Sequence, residues 1–492
     1  MVRILAGLLL VFSPAAQTPP ANGLAAAVER TLAAPPLQRA VWGIHVRDLA
    51  TGNVLYEKNA GVPMTPASNT KLFSSALALL RLGPAHRFKT RILADGVRKG
   101  ATLAGDLVIV GGGDPTLSPR EIPYRKGAVE GDPLVALREL AARVAEKGIR
   151  RIEGDVIGDD TLYPWDPYPD GWSAGDTLFE YGSAVSALVV NDNSIRLGVR
   201  PGKQSGEPAE IMLRPPVEYF TILNQLRVAA GAPRRIRVDR APGGRVVRIW
   251  GTAPPGAAET WQLLSADDPA LFAAEALRGL LAEKGIEVRG RAVARHRPPG
   301  ETYAAPSGTP IAERESPALI ETLTVLNKVS QNLHAEIVLL ETARMRRGDA
   351  TRPLALEELD ALFSEIGAAR EEAELTDGSG LSRRGLVSPR TVTALLAHLH
   401  ATQYRDTFWQ TLPIAGEDGT LSARFRGASG AQAIRAKTGT ISHVSALSGY
   451  AGLDPARRAA FSIICNHHTA PSSEIRAALD RIAVAILDEG YR

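Results

Sequence analysis

Residues 41–49 read as a strand, Ala50-Thr51-Gly52-Asn53 as a turn and 54–58 as the returning strand, which together predict a hairpin. Pro66-Ala67-Ser68-Asn69-Thr70-Lys71 then opens an apolar run that continues to Leu82. Gly83-Pro84 ends that run, so it reads as a helix with a clean stop. From 86 to 192 strand-like pieces (91–93, 106–110, 152–157) alternate with an amphipathic helix over 133–147. From 194 to 253 the pattern is strand-rich, with 245–250 as one run, and a helix over 269–284 restores the α/β alternation. Ala-Glu-Lys-Gly-Ile occurs at 145–149 and again at 282–286, each time where a helix gives way to a strand, which reads either as a repeated glycine-terminated helix exit or as a relic of duplication. Six Pro or Gly residues within 297–313 predict a linker. Four helices follow (317–328, 333–346, 354–366, 389–400), then strands over 444–453 and 459–465, and a last helix over 473–487.

A lone hairpin is unstable, so the N-terminal strands need partners, and the C-terminal strands can supply them. This predicts one discontinuous domain from 23–85 and 313–492. An α/β domain (86–193 and 254–312) is inserted in it, with a small strand-rich domain (194–253) nested inside the insertion. At 492 residues, 45% hydrophobic and 22% charged, the chain has the size and composition of several globular domains. A net charge of +4 with no long run of like charge is no nucleic-acid footprint. The single cysteine, Cys465, excludes disulfide frameworks, iron–sulfur clusters and multi-cysteine zinc sites, and its apolar surroundings predict a buried strand thiol. Arg3, the apolar run 4–12 and the small residues Ser13, Ala15 and Ala16 predict an export signal over 1–16. The apolar run is too short to span a bilayer, so a soluble protein exported across the inner membrane to the periplasm is expected.

Only ten residues are lysine while 47 are arginine, so sites that keep lysine stand out. Ser68-x-x-Lys71 places a hydroxyl and an amine three residues apart at a helix start, on one face. Ser330-Gln331-Asn332 precedes another helix, where a plain capping role competes with a chemical one. Lys437-Thr438-Gly439-Thr440 lies just before a predicted strand, and its glycine lets a ligand approach the backbone. Singly, the first two motifs are weak. In this order, with Lys71, Lys328 and Lys437 in or beside them, the three form the active-serine signature of penicillin-binding proteins and serine β-lactamases. Gly111-Gly112-Gly113-Asp114 lacks the Gly-Lys-Ser/Thr of a phosphate loop, and His443, His467 and His468 do not make a metal spacing.

The chain resembles the class C low-molecular-mass penicillin-binding proteins, the D-Ala-D-Ala carboxypeptidase/endopeptidase family. Besides the three motifs, the likeness includes Gly105-Asp106-Leu107 leading to 111–117, Gly158-Asp159-Asp160, 181–193, 327–333, Asp377-Gly378-Ser379-Gly380-Leu381-Ser382-Arg383 and Leu412-Pro413-Ile414-Ala415-Gly416. The long insertion between the first two motifs separates it from compact β-lactamases. Gln331, where the family usually has Asp, and Gly385, where Asn is common, are departures that bear on substrate preference.

The resemblance implies a β-lactamase/transpeptidase-like fold, α/β (α+β), with an antiparallel sheet sandwiched by helices. It implies an acyl-enzyme on Ser68, with Lys71 as base, made neutral by a dry pocket and a second cation at Lys437. Ser330 would relay a proton, oriented by Asn332 and Lys71. Lys437, Thr438 and Thr440 would hold the terminal carboxylate, and the backbone N–H groups of Ser68 and Thr440 would form the oxyanion hole, with Gly439 part of the same site. Asp160, Arg383 and Ser442 match positions that read the charged end of the stem side chain. Peptidoglycan stem peptides are the implied substrates and β-lactams the implied covalent inhibitors, with no cofactor, metal or nucleic acid. A serine β-lactamase or esterase of the same superfamily, and a non-catalytic wall-binding relative, are the alternatives.

Overall fold

The computed structural model describes residues 23–128 and 131–491, so the predicted signal at 1–16 lies outside the described residues. At its centre is a five-stranded antiparallel sheet in the order Ile434–Ile441, Val444–Ala451, Ala459–Asn466, Val41–Asp48, Val54–Lys58. Val41–Asp48 pairs along its whole length with Ala459–Asn466, Trp42 opposite Cys465 and Ile44 opposite Ile463, so the N-terminal hairpin finds its partner more than 400 residues away. Successive strand residues face opposite sides, and both sides are apolar. Phe461, Ile463 and Cys465 face a cluster with Ile475, Leu479, Ile482 and Ile486 of the last helix, Ser472–Asp488. Ala460 and Tyr450 belong to the cluster on the other face, built around helices Thr70–Leu82, Asn332–Arg347 and Pro389–His400. The fold is thus the helix-covered antiparallel sheet expected from the motifs.

Helix Thr70–Leu82 is buried on every side from Thr70 to Leu79, and Gly83, at φ 77°, ends it. A helix whose whole circumference is covered is fixed in place by packing and needs little intrinsic propensity.

The chain between the two outer segments forms three further sheets. The largest joins long strands Lys89–Lys99 and Thr102–Val110 to Arg151–Ile152, Glu287–Val288, Val156–Pro164, Ala292–Arg297 and Thr309–Glu315. Helices Val135–Glu146 and Pro269–Glu283 pack against it. Two three-stranded sheets from residues 194–265 enclose a small core of Leu197, Val199, Val247 and Ile249.

Three expectations are corrected. The segment ahead of the hairpin, which Pro19, Pro20, Pro35 and Pro36 mark as a spacer in the sequence, contains a helix, Leu24–Leu32, whose Leu24, Val28 and Leu32 join the core under the last helix. The supposed linker 297–313 ends in a strand, Thr309–Glu315, which covers the edge of Lys89–Lys99; Pro298, Pro299 and Pro306 punctuate the segment before it, and Pro310 lies in the strand beside a register shift. Helix Asn332–Arg347 is capped by Gln331, whose Oε1 accepts from the Leu333 N–H at 2.8 Å. Neither Ser330 nor Asn332 is spent on the cap.

Candidate active site

Ser68 sits in a single 3-10 turn, Ala67–Asn69, that runs straight into helix Thr70–Leu82. One turn of helix brings Lys71 back to it, with Nζ 2.9 Å from Ser68 Oγ. Lys71 Nζ also lies 2.6 Å from Asn332 Oδ1 and 2.6 Å from the Ser379 carbonyl oxygen. These last two atoms can only accept. An uncharged amine has two N–H groups and one lone pair, so they take both hydrogens and leave the lone pair facing the Ser68 hydroxyl. Burial brings Lys71 down to about 7, against the upward pull of Asp377 and Glu336.

The backbone before Ser68 is held under strain. Ala67 has φ 49°, a left-handed value costing a non-glycine residue about 1–2 kcal/mol. Two glycines clamp it there. A Cβ on Gly380 would lie 1.9 Å from the Ala67 carbonyl oxygen, and one on Gly439 would lie 2.7 Å from the Pro66 carbonyl oxygen. The motif strand Ile434–Ile441 is the sheet edge, joined to Val444–Ala451 by the two-residue turn Ser442-His443, and it meets the nucleophile turn at Gly439.

Ser330 also has a left-handed backbone, φ 63°, and its hydroxyl accepts from Lys437 Nζ at 2.8 Å. Lys437 is fully buried and donates its other recorded bond to the Thr438 carbonyl at 2.9 Å. Burial, and after it the charge of Lys71, hold Lys437 well below an ordinary lysine. The structure thus differs from the expected wiring in two ways. Ser330 is oriented by Lys437, and burial is the force that lowers Lys71, while the second-cation effect acts on Lys437.

A buried polar layer lies behind Lys71. Glu336 Oε1 accepts from the Gly378 and Ser379 N–H groups at 3.0 and 2.8 Å, and Oε2 accepts from Arg352 Nη1 at 3.2 Å. Asp377 accepts from the Gly380 and Ser382 N–H groups, the Ser379 hydroxyl and the Trp172 indole. Both carboxylates fold the 377–382 loop so that the Ser379 carbonyl faces Lys71. Burial and Asp377 raise Glu336 to about 7. The inserted region contributes directly, since Asn332 Nδ2 donates to the Tyr181 carbonyl at 2.7 Å, which fixes Oδ1 toward Lys71.

A cavity of about 530 Å³ opens at this cluster, lined by Ser68, Ser330, Thr438 and Thr440 together with Thr420, Ala423, Arg424 and Arg476. Thr420 and Thr438 meet through their hydroxyls at 2.9 Å. A larger groove, about 870 Å³, lies beside helix Pro269–Glu283 and holds none of the motif residues.

The structure therefore brings Ser68, Lys71, Ser330, Asn332, Lys437, Thr438, Gly439 and Thr440 together. It sets the other three apart from this cavity. Asp160 is buried in strand Val156–Pro164, its carboxylate bonded to Ser186 Oγ at 2.8 Å and His296 Nδ1 at 2.9 Å. Arg383 is exposed beyond the 377–382 loop, and Ser442 is exposed in the edge-strand turn. Sequence reasoning missed Glu336, the Ser379 and Tyr181 carbonyls, Thr420, Arg424 and Arg476. A charge within the apolar run 333–343 was the available sign of Glu336; backbone carbonyls leave no such trace.

The model of the D-Ala-D-Ala carboxypeptidase 3 (S13) family matches residues 24–486. A D-alanyl-D-alanine carboxypeptidase of Actinomadura sp. (strain R39) is 34% identical over 473 residues, which cover 94% of this chain and 84% of the relative. The crystal structure of penicillin binding protein 4 (dacB) from Haemophilus influenzae superposes with a TM-score of 0.80 at 23% identity, covering 94% of this chain and 99% of that one. The same Haemophilus protein complexed with a β-lactam gives 0.75 at 22% identity, covering 95% and 99%.

Proposed function

The chain belongs to the D-Ala-D-Ala carboxypeptidase 3 (S13) family of serine peptidases, and on that premise we propose that it cleaves the terminal D-Ala-D-Ala bond of peptidoglycan stem peptides through an acyl-enzyme on Ser68. The observation that carries the reading is the Lys71 amine, 2.9 Å from Ser68 Oγ, with both its neutral-state hydrogens taken by pure acceptors.

Ser68 Oγ attacks the carbonyl of the penultimate D-Ala as its proton passes to Lys71 Nζ. The negative oxygen is received by the backbone N–H groups of Ser68 and Thr440, on either side of the clamp at Gly439, the latter on a strand edge without a strand partner among the described residues. Lys71 then gives that proton up through Ser330 Oγ, which Lys437 orients, to the departing amine; the C–N bond breaks to release D-Ala and Lys71 is neutral again. Lys437, Thr438 and Thr440 hold the terminal carboxylate. Water then attacks the ester, with Lys71 again as base, and frees Ser68. Of the three residues matched to positions that read the charged end of the stem side chain, Arg383 and Ser442 are exposed and free to do so, whereas Asp160 is buried and held by Ser186 and His296 and is not assigned that role. β-Lactams acylate the same serine.

Among the described residues no helix is long and apolar enough to cross a membrane. We place the protein in the periplasm on the strength of its leader-like first sixteen residues and its wall substrate. We also propose that 23–85 and 313–492 form one catalytic domain, with 86–193 plus 254–312 and the nested 194–253 inserted in it; the pairing of Val41–Asp48 with Ala459–Asn466 supports the discontinuous outer domain, while strand Thr260–Ser265, paired with Ser194–Arg200, extends the nested unit to 265.

Intact-mass measurement after brief exposure to benzylpenicillin tests the reading. A single penicilloyl adduct in the wild-type protein and none in Ser68→Ala is expected, together with D-Ala release from a stem pentapeptide. Labelling that persists in Ser68→Ala would refute the nucleophile. Rapid penicillin consumption without D-Ala release would make the protein a lactamase.

A further inference from the structure

We propose that the outward face of one sheet of the nested unit, formed by Thr221–Val228, Val246–Ala253 and Arg235–Asp239, is a docking surface for the peptidoglycan polymer. It binds carboxylates of stem peptides other than the one in the cleft and takes no part in bond cleavage. This rests on the reading above, which makes peptidoglycan the substrate.

Strand alternation defines the face. Val247, Ile249 and Ala253 of the central strand and Leu226 of its neighbour are buried in the small core shared with the other sheet. The alternate positions therefore point away from that core. Trp250 stands on the central strand and is 40% exposed, and Leu223 and Val246 on the same face are 46% and 49% exposed. The indole is held in place. Its Nε1 donates to Asp239 Oδ2 at 2.7 Å, and Arg248 lies over the ring, 5.6 Å from its centre. With its one polar atom satisfied, the tryptophan offers apolar surface at no cost in ordering. Arg237 stands directly across from it on the adjoining strand. Tryptophan and arginine are the residue types that most often anchor a recognition surface.

Charge says what the surface recognises. Residues 194–265 carry eleven basic and five acidic side chains, a surplus of six in a chain whose whole net charge is +4. Part of this is neutralised: Arg200 is taken by Glu210 and Glu259, Arg240 by Asp267 and Arg248 by Asp239. Arg227, Arg235 and Arg237 are exposed and have no carboxylate within ion-pair distance among the described residues. All three lie on the outward face, at the register positions of Thr252, Thr252 and Trp250. Like charges gathered on one sheet face repel one another, and a bound anion relieves that repulsion. Each guanidinium can take a carboxylate through two parallel bonds.

Size separates the possible partners. The three strands share five registered positions. At about 3.4 Å per residue and 4.8 Å between strands, the face measures on the order of 300 Å². A stable protein partner needs about 800 Å² on each side. A face this small and this basic fits a thin anionic polymer whose weak contacts recur along its length. Peptidoglycan has that form, since every stem ends in a carboxylate and each release of D-Ala leaves a new one behind. A protein held on the polymer meets the next stem at a raised effective concentration. No residue of 194–265 lines the cavity at Ser68, so the two contacts are separate.

The test is co-sedimentation of the Ser68→Ala protein with insoluble, purified peptidoglycan. Adding Arg235→Gln and Arg237→Gln together should weaken binding at least fivefold, and adding Trp250→Ala alone should weaken it as well. Amidation of the polymer carboxylates should lower binding of the parent protein by a similar factor, as should a rise in salt from about 0.05 to 0.5 M. With Ser68 restored, the double arginine variant should release D-Ala from the polymer at least fivefold more slowly. Its turnover of a soluble stem pentapeptide and its benzylpenicillin acylation, which report on the fold and the nucleophile, should stay within twofold of wild type. Unchanged sedimentation of the double variant, equal binding to amidated polymer, or equal losses on polymer and pentapeptide would each overturn the assignment. So would tighter binding to phosphatidylglycerol vesicles than to peptidoglycan, which would make the face a membrane contact. Wild-type protein that releases no D-Ala from the pentapeptide would overturn the reading beneath instead, and the sedimentation comparison would still decide the surface.

Discussion

If a neutral Lys71 is the base, acylation must follow its titration. An ordinary lysine, at 10.5, is neutral in roughly one molecule in three thousand at pH 7. At about 7, half the molecules are ready. The difference corresponds to about 5 kcal/mol of lost preference for the charged form, and Lys71 is fully buried, so solvent does not screen it away. Since the neutral form is the active one, the rate must rise with pH and level off above about 7. The second-order rate of acylation by a fluorescent penicillin, followed by stopped flow from pH 5 to 9, should fall about tenfold below its plateau at pH 6 and about a hundredfold at pH 5. Glu336 is itself raised to about 7, so the apparent value belongs to the pair. Glu336→Gln separates them. Without its negative charge Lys71 loses an upward pull, and the rising limb should move to lower pH. Lys71→Arg cannot lose its proton and should fail to label at any pH. A flat wild-type profile, or an alkaline shift in Glu336→Gln, would refute the reasoning.

Two further outcomes follow from packing. Gly439→Ala puts a methyl group 2.7 Å from the Pro66 carbonyl and 3.2 Å from Ala67 Cβ; it should cost about 1–3 kcal/mol in denaturant unfolding. The same change displaces the edge strand from Ser68 and should slow penicillin acylation by about a hundredfold. Cys465 is fully buried and burial pushes its thiol up to about 12, so iodoacetamide at pH 8 should leave it unmodified in folded protein and label it fully in guanidinium.

Much of the fold is written locally. The helix after Ser68 ends at Gly83-Pro84 because that pair cannot continue it, and 459–465 is a strand buried on both faces because all of it but Ser462 is apolar. Elements with weaker local patterns escaped. Helix Leu24–Leu32 sits among prolines, and strand Thr309–Glu315 has mostly exposed residues and forms by pairing with Lys89–Lys99. Gln331 as the helix cap was equally hidden, since glutamine is a poor predictor of that role.

The sequence by itself determined which groups are present and in what order: a serine and a lysine one helical turn apart, a second serine and asparagine, and a lysine-threonine-glycine strand. It also made the lysines conspicuous against 47 arginines. Only the tertiary structure decided what those groups can do. Lys71 becomes a base because helix Thr70–Leu82 is covered on every side and the Ser379 carbonyl is turned toward its amine by Glu336 and Asp377. Asn332 is aimed by the Tyr181 carbonyl, 151 residues distant. Burial, backbone orientation and contacts between distant segments are properties of the packed chain. A local pattern of residues can require them, and it cannot display them.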